Sequence, residues 1–422
     1  MFVARRLIPA LLLVLALAVS VQAQIEITYT SWQSGGAGRE AEEEIVRRFN
    51  ESQSDIRVTF VPGPWSQALL EEVIVQVAGG VAPDVATLRG ITVGPNLEQI
   101  AVDLTPFIER DGYDMNRFMP VTHSLAARNG KIYGVPWAFG SMLLYYNDNI
   151  FQEAGLAAPQ KGWTTDEFAQ YARLLTVDRD GDGNPDRWGL DHIHDGHLYL
   201  WGQLFGGSFL SDDGSSVAIQ DAAFVDALDF ATRLANDDRS VRTVGPTNSV
   251  WETGETAMVV NWEPYIGSLM TMKHHETFDW RTTYMPRGGG AETSTYAQWH
   301  VMAAIKGTKH PEAAWEFIKF YNSDEIQAYL GSMGVEPATV VGRRTFGLEG
   351  PLPPGADRMD IYGPILDPPS FRTVAWEVES MSEMWPQLVS MFAGVLKGEE
   401  APRAAVDRLA PVLNARLAAQ DK

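Results

Sequence analysis

The chain predicts an α/β fold built on a parallel sheet. Short strands and helices alternate along it, the strands are rich in Ile, Val, Thr and aromatic residues, and glycine-bearing turns separate the elements.

Ile25, Ile27 and Tyr29 alternate with polar residues as one strand, and Gly35, Gly36 and Gly38 lead into a helical pattern over 40–50. The order repeats: a strand over 57–61, an amphipathic helix over 66–78, and a buried strand over 85–88 entered through Pro83-Asp84. Ligands of such sheets sit beyond the carboxyl ends of the strands, which directs attention to Ser31-Trp32-Gln33 and to Arg89.

Asn129-Gly130 makes a turn, and 131–136 and 143–147 read as two strands with no helical run between them, suited to a crossover between domains. Thr164 and Glu167 form a capping box for a helix reaching Leu175. Residues 221–236 form a second helix with Phe224, Leu228 and Leu234 on one side, and 256–261 a strand ending at Trp262. After the loop Gly288-Gly289-Gly290, a strand over 301–305 leads through Pro311, at a first helical position, into a helix to Tyr321, where the chain again changes domain. Residues 350–369 suggest a linker, and 402–419 a helix kinked at Pro411. There is no internal repeat.

Arg5 and Arg6 precede the apolar run 7–19, and Val21-Gln22-Ala23 supplies small residues for cleavage, so residues 1–23 read as a secretory signal peptide. The run is too short for a membrane span and is broken by Pro9. With no cysteine there is neither a lipid attachment point nor a disulfide, and a chain of 422 residues can bury a core without staples. A soluble exported protein is expected. The formal charge of −21 becomes two units more negative without Arg5 and Arg6, which makes nucleic acid and anionic membrane surfaces poor partners, since their phosphates would meet net repulsion.

The sharpest local motif is the run from Asp178 to Asp186. Asp178, Asp180, Asp182 and Asp186 take positions 1, 3, 5 and 9 of a calcium loop, with the Asn184 carbonyl at position 7 and Gly183 at position 6. Position 12 is Gly189, so the bidentate glutamate is missing. The competing role is a solvated acidic turn; mutual repulsion of the carboxylates favours a structural Ca2+. No Gly-x-Ser-x-Gly, His-Glu-x-x-His, Walker or Rossmann signature occurs, so no catalytic residue is assigned. His192, His194 and His197 fit a polar loop better than a metal site, and no glycosidase carboxylate pair can be picked among 54 acidic residues.

What remains is a set of aromatics at strand ends and in loops: Trp32, Trp65, Trp137, Tyr145, Tyr146, Trp262, Trp299, Trp376 and Trp385. Sugars present apolar C–H faces and a hydroxyl rim, so indole platforms flanked by Gln33, Arg89, Gln298 and Arg372 suit them. Packing competes for every one of these rings, and part of the set is expected to serve it.

Residues 129–137 (Asn-Gly-Lys-Ile-Tyr-Gly-Val-Pro-Trp) followed by 144–148 (Leu-Tyr-Tyr-Asn-Asp) resemble the carbohydrate-type extracellular solute-binding proteins of ABC importers, the maltose-binding-protein-like group. Residues 79–85, 254–258, Trp262 and 313–318 add to the resemblance in order and spacing. It implies a two-lobed periplasmic binding protein fold with discontinuous lobes and a hinged cleft: 24–136 with 300–345, and 137–299 with 346–422. It further implies Trp32 and Arg89 in the cleft from the first lobe and Trp262 and Trp385 from the second, with Gln298 and Arg372 matching loosely. The implied function is capture of a mono- or short oligosaccharide for a membrane permease, by a monomer and without catalysis. The lipobox cysteine of many relatives is missing, so an outer membrane is needed to retain the protein in a periplasm. The alternatives are a carrier of a phosphorylated or anionic molecule such as glycerol phosphate and, further off, an exported glycoside hydrolase or lyase.

Overall fold

In this computed structural model the described residues are 24–33, 36–65, 67–93, 96–122, 126–194, 197–211, 214–244, 250–372 and 381–420. The expected signal peptide and Trp376 lie outside them.

The strands are β1 (Ile25–Ser31), β2 (Ile56–Pro62), β3 (Val85–Arg89), β4 (Ala127–Arg128), β5 (Lys131–Ile132), β6 (Val135–Asn147), β7 (Trp188–Ile193), β8 (Val241–Val244), β9 (Thr256–Trp262), β10 (Trp280–Thr283), β11 (Ser294–Ala304) and β12 (Ser370–Arg372). One ten-stranded sheet runs in the order β2-β1-β3-β11-β6-β9-β7-β8, with β10 on β6 and β12 on β11.

The expected parallel pairing holds at both ends of the sheet, where β1 lies parallel to β2 and β3, and β7 to β8 and β9. The centre differs. β11 is antiparallel to β3 and β6, and β9 and β10 are antiparallel to β6.

The centre also corrects the reading of 131–147 as two strands. β6 is one strand of 13 residues, buried along its whole length. A strand covered on both faces has no alternation to read, and Gly140 and Ser141 interrupt its apolar run without interrupting the strand. β11 likewise begins at Ser294, seven residues earlier than its sequence pattern suggests, and is fully buried.

These two strands belong to both halves of the molecule. Trp137 and Phe139 of β6 pack in a core with Ile27, Val85 and Trp315, whereas Met142 and Leu144 pack in a second core with Leu190, Phe224 and Phe392. Leu143 and Tyr145 face a third cluster on the other side of the sheet, around Trp251, Trp280 and Phe346. The lobe boundaries expected at 136/137 and 299/300 thus fall inside continuous strands.

The helices Asp324–Ser332 and Val340–Glu349 make a further passage between the halves: Ile326 and Leu330 lie in the first core and Phe346 in the third. A Cβ at Gly331 would sit 2.7 Å from the Gly342 carbonyl, so only glycine lets these helices pack this closely. The Thr164–Glu167 capping box is present, with Glu167 N donating to Thr164 Oγ1 at 3.2 Å and Thr164 N to Glu167 Oε2 at 2.7 Å. Residues 350–369 contain a helix, Arg358–Leu366, where a linker was expected. The expected 221–236 helix ends as an α-helix at Thr232 and finishes in a π-turn over Arg233–Asp237.

Candidate ligand-binding cleft

The carboxyl ends of β1 and β3 in one half and of β7 and β9 in the other bring Trp32, Arg89, Ile193 and Trp262 to the strand ends where ligands of α/β sheets bind. β11 passes between them. Because side chains alternate along a strand, Tyr296, Gln298 and His300 share one face and Ala297, Trp299 and Val301 the other.

The first half supplies a polar wall. His300 lies opposite Arg89 in the β3–β11 register, and Arg89 Nη2 donates to Gln298 Oε1 at 3.0 Å. His300 Nε2 stands 3.2 Å from Glu336 Oε1. Burial lowers the His300 imidazole from its usual value; Glu336 opposes the shift and Arg89 adds to it. Burial also lowers the Arg89 guanidinium, against the compensating influence of Tyr296 and Glu336. Trp32 meets the His300 ring edge-on at 4.9 Å between centroids, over Trp137 at 5.6 Å. Gln33 and Glu336 line a pocket of about 330 Å³ together with Pro264, Ser268 and Met272 of the other half. That volume lies at the low end of small-molecule sites.

The second half supplies rings. Trp262 meets Tyr296 edge-on at 5.4 Å, Tyr296 stacks on Tyr199 at 5.6 Å, and Tyr199 stacks on Trp385 at 4.2 Å with planes 4° apart. Tyr145 Oη donates to the Trp262 carbonyl at 2.8 Å, fixing the strand end on which that indole sits. Trp262 and Trp385 are half-buried, so each keeps surface for a ligand.

Of the residues singled out in sequence, the fold therefore gathers Gln33, Arg89 and Gln298 on one side, with Trp32 buried beneath them in the first core, and Trp262 and Trp385 on the other. Five others lie elsewhere, Tyr145 among them, fully buried in the third cluster. Trp137 and Trp299 are each 1 % exposed and belong to the first core; a Cβ at Gly90 would collide with the Trp299 ring. Tyr146 packs on Phe151 at 4.7 Å inside the second core. Trp65 is 72 % exposed in the turn after β2. The backbone of Arg372 pairs with Tyr296, and its side chain lies outside the described residues. Tyr199, Tyr296, His300 and Glu336 were not singled out in sequence. The period-two pattern of Tyr296, Gln298 and His300 is the signal that would have found two of them, had β11 been started at Ser294.

The histidines correct a further expectation. His192 lies in β7 rather than in a polar loop, and its Nδ1 is 3.1 Å from Asp191 Oδ2.

The Asp178–Asp186 loop lies at the opposite end of β7, away from the cleft. Asp178, Asp180 and Asp186 each bring an oxygen within 4.8 Å of the others, and all three are exposed. Asp182 is outside that group; it accepts from Asn184 N at 2.7 Å. The Gly183 and Gly181 amides donate to Asp178 at 2.9 and 2.8 Å and hold its carboxyl below the usual range.

Two halves threaded more than once by the chain, with strand ends facing each other across a cleft, define a binding-protein architecture. The chain belongs to the bacterial extracellular solute-binding protein family, which it matches over residues 32–328. It is similar to an ABC substrate-binding protein of Listeria monocytogenes solved in complex with cycloalternan, with a TM-score of 0.78 and 22 % identity over 94 % of this chain and 99 % of that one. Among sequences, it is 28 % identical to the arabinooligosaccharide-binding protein of Bacillus subtilis over 132 residues, 30 % of each chain. It is 23 % identical to the sn-glycerol-3-phosphate-binding periplasmic protein of Rhizobium meliloti over 414 residues, 91 % of this chain and 92 % of that one. No described helix is long and apolar enough to cross a membrane.

Proposed function

We propose that the chain is the sugar-capturing component of an ABC importer, holding a mono- or short oligosaccharide in the cleft and delivering it to the membrane permease. The observation that carries this reading is the pair of half-buried indoles Trp262 and Trp385, each backed by a core tyrosine, Tyr296 and Tyr199, together with the polar pair of Arg89 and Gln298. Apolar faces and hydroxyls of one sugar are both met in such a site. Binding to both halves favours the closed arrangement, and affinity depends on the preference for closed over open.

The protein acts as an exported, periplasmic monomer after removal of residues 1–23, and transforms no substrate. The cycloalternan complex and the arabinooligosaccharide-binding relative support sugar as ligand. Glycerol phosphate, the ligand named for the Rhizobium relative, is the weaker alternative, because Glu336 offsets part of the Arg89 charge that a phosphate would use. As part of the same reading, the Asp178–Asp186 loop holds a structural Ca2+.

The test is a thermal-shift panel of sugars and sugar phosphates. A ligand of the native state at a hundred times its Kd stabilises by about 2.7 kcal/mol, so a neutral or acidic sugar should raise the midpoint. A response to phosphate esters alone would transfer the assignment to the alternative.

A further inference from the structure

One side chain of the polar wall has a hydrogen-bonding capacity that the fold leaves unused. Glu336 is 6 % exposed and stands in the connection between the helices Asp324–Ser332 and Val340–Glu349. Its Oε1 lies 3.2 Å from His300 Nε2. Its Oε2 is buried and has no hydrogen-bond partner among the described residues. That oxygen rests over Gly140 of β6, where a Cβ would collide with it, and Gly140 pairs with Gln298 of β11. The carboxylate thus lies on the central strands, where the chain passes between the halves.

Gln33 lines the same pocket of about 330 Å³, and a Cβ at Gly38 would collide with its carboxamide. Two polar side chains therefore use room that two glycines leave. Pro264, Ser268 and Met272 close the pocket from the second half. Among the described residues that line it, Glu336 is the only charged one.

We propose that Glu336 sets the charge of the ligand: its carboxylate accepts from hydroxyls of one neutral sugar ring seated in this pocket and turns away phosphorylated and acidic sugars. This rests on the reading of the cleft as a sugar site.

An ionised carboxylate accepts and cannot donate, so only a donor satisfies its unused oxygen. Leaving a buried charged acceptor unmet is costly, and a hydroxyl entering the pocket removes that cost. A phosphate or a second carboxylate brings further acceptors and a like charge into a place where charges are poorly screened. An ammonium is disfavoured by Arg89, whose guanidinium reaches Gln298 at 3.0 Å on the same wall. With Arg89 and Glu336 the wall carries one charge of each sign, which suits a neutral ring. The rest of the lining agrees: Gln33 offers a donor and an acceptor, and Pro264 and Met272 offer apolar surface to ring C–H groups. The volume, at the low end of small-molecule sites, suits a single ring, with any further rings of an oligosaccharide outside it.

Calorimetry of the full chain at pH 8 tests this, a condition in which His300 is neutral because burial holds it below its ordinary value. The probes are glucose, galactose, arabinose, maltotriose and arabinotriose, against glucose 6-phosphate, glucuronate and glucosamine. The wild type should bind a neutral sugar more tightly than any charged one. Glu336→Gln keeps the shape and removes the charge; it should weaken that neutral sugar by about 10- to 100-fold, as for loss of a hydrogen bond to a charged group, and narrow the gap to the anionic sugars. A purely structural role would leave the ratio of the two unchanged. If that variant fails to fold, Ser268→Trp fills the pocket from an exposed position on its rim and should abolish binding of the neutral sugar. An unchanged ratio in Glu336→Gln, or unchanged affinity in Ser268→Trp, would overturn the role of Glu336 and leave sugar capture standing. Wild-type preference for glucose 6-phosphate, glucuronate or glucosamine over every neutral sugar would overturn the selection of a neutral ring. Failure of every sugar, neutral and charged, would remove both proposals.

Discussion

Arg343 and Glu263 form a buried two-point ion pair at the junction of the two halves. Both guanidinium nitrogens of Arg343 reach the carboxylate, Nη2 at 3.1 Å, and Nη1 also donates to the Phe139 carbonyl of β6 at 3.0 Å. Ser141 Oγ of the same strand donates to Glu263. A helix after the first-half core, a strand end of the second half and the central strand are thereby tied at one point.

Removing one partner leaves the other charged and dehydrated. Arg343→Met should cost about 3–5 kcal/mol of stability, read as a lowered denaturant midpoint. Replacing Glu263 as well should restore much of it, and a double-mutant cycle would measure the coupling; independent, additive effects would refute the pairing as a unit.

Trp262 ends β9 with its ring against Tyr296 and part of its surface free. Trp262→Ala should weaken sugar binding by about 1–3 kcal/mol. An unchanged titration would remove Trp262 from the site.

Glu42 is fully buried beneath β1, where it accepts from Tyr29 Oη at 2.9 Å. Burial pushes its carboxyl up to about 7, with the hydroxyls around it opposing the shift. The native state thus holds a proton that the unfolded chain releases near pH 4.5. Stability from this group is complete below that value and is lost as pH rises through about 7, by about 3 kcal/mol at most. Glu42→Gln should flatten this part of the stability profile and stabilise the protein at pH 8; a steeper profile in the variant would contradict the assignment.

Calcium should raise the thermal midpoint through Asp178, Asp180 and Asp186, and Asp180→Asn should abolish that response without changing sugar affinity, since the loop is remote from the cleft. Equal midpoints in calcium and in chelator would leave the loop as a solvated turn held by its own amides.

Local structure was legible wherever one face meets water. The Thr164 cap, the strands at the edges of the sheet and the helix after Pro311 announce themselves through side-chain pattern and capping chemistry. β6 and β11 do not, because strands buried on both faces lose the alternation that marks a strand. Their antiparallel setting was hidden for the same reason. The cleft was half legible: Arg89 and Trp262 stand at the ends of strands that could be read, whereas His300 lies in a strand buried along its whole length and Glu336 in a connection without a pattern. Trp137 and Trp299 misled because their strand ends, as read, were in fact strand interiors.

Pairing of β6 with β11 runs from Ala297 opposite Ser141 to Met302 opposite Val135, and a slip of one residue would turn Tyr296, Gln298 and His300 to the wrong side. Sliding of the halves along this ribbon would break that register, whereas twisting would keep it. The register shifts once, between His300 and Val301, where β6 carries Trp137 as an extra residue. Tyr296, Gln298 and His300 are thus carried on a strand that is continuous through both cores, so any change in the angle between the halves would reorient these three side chains directly.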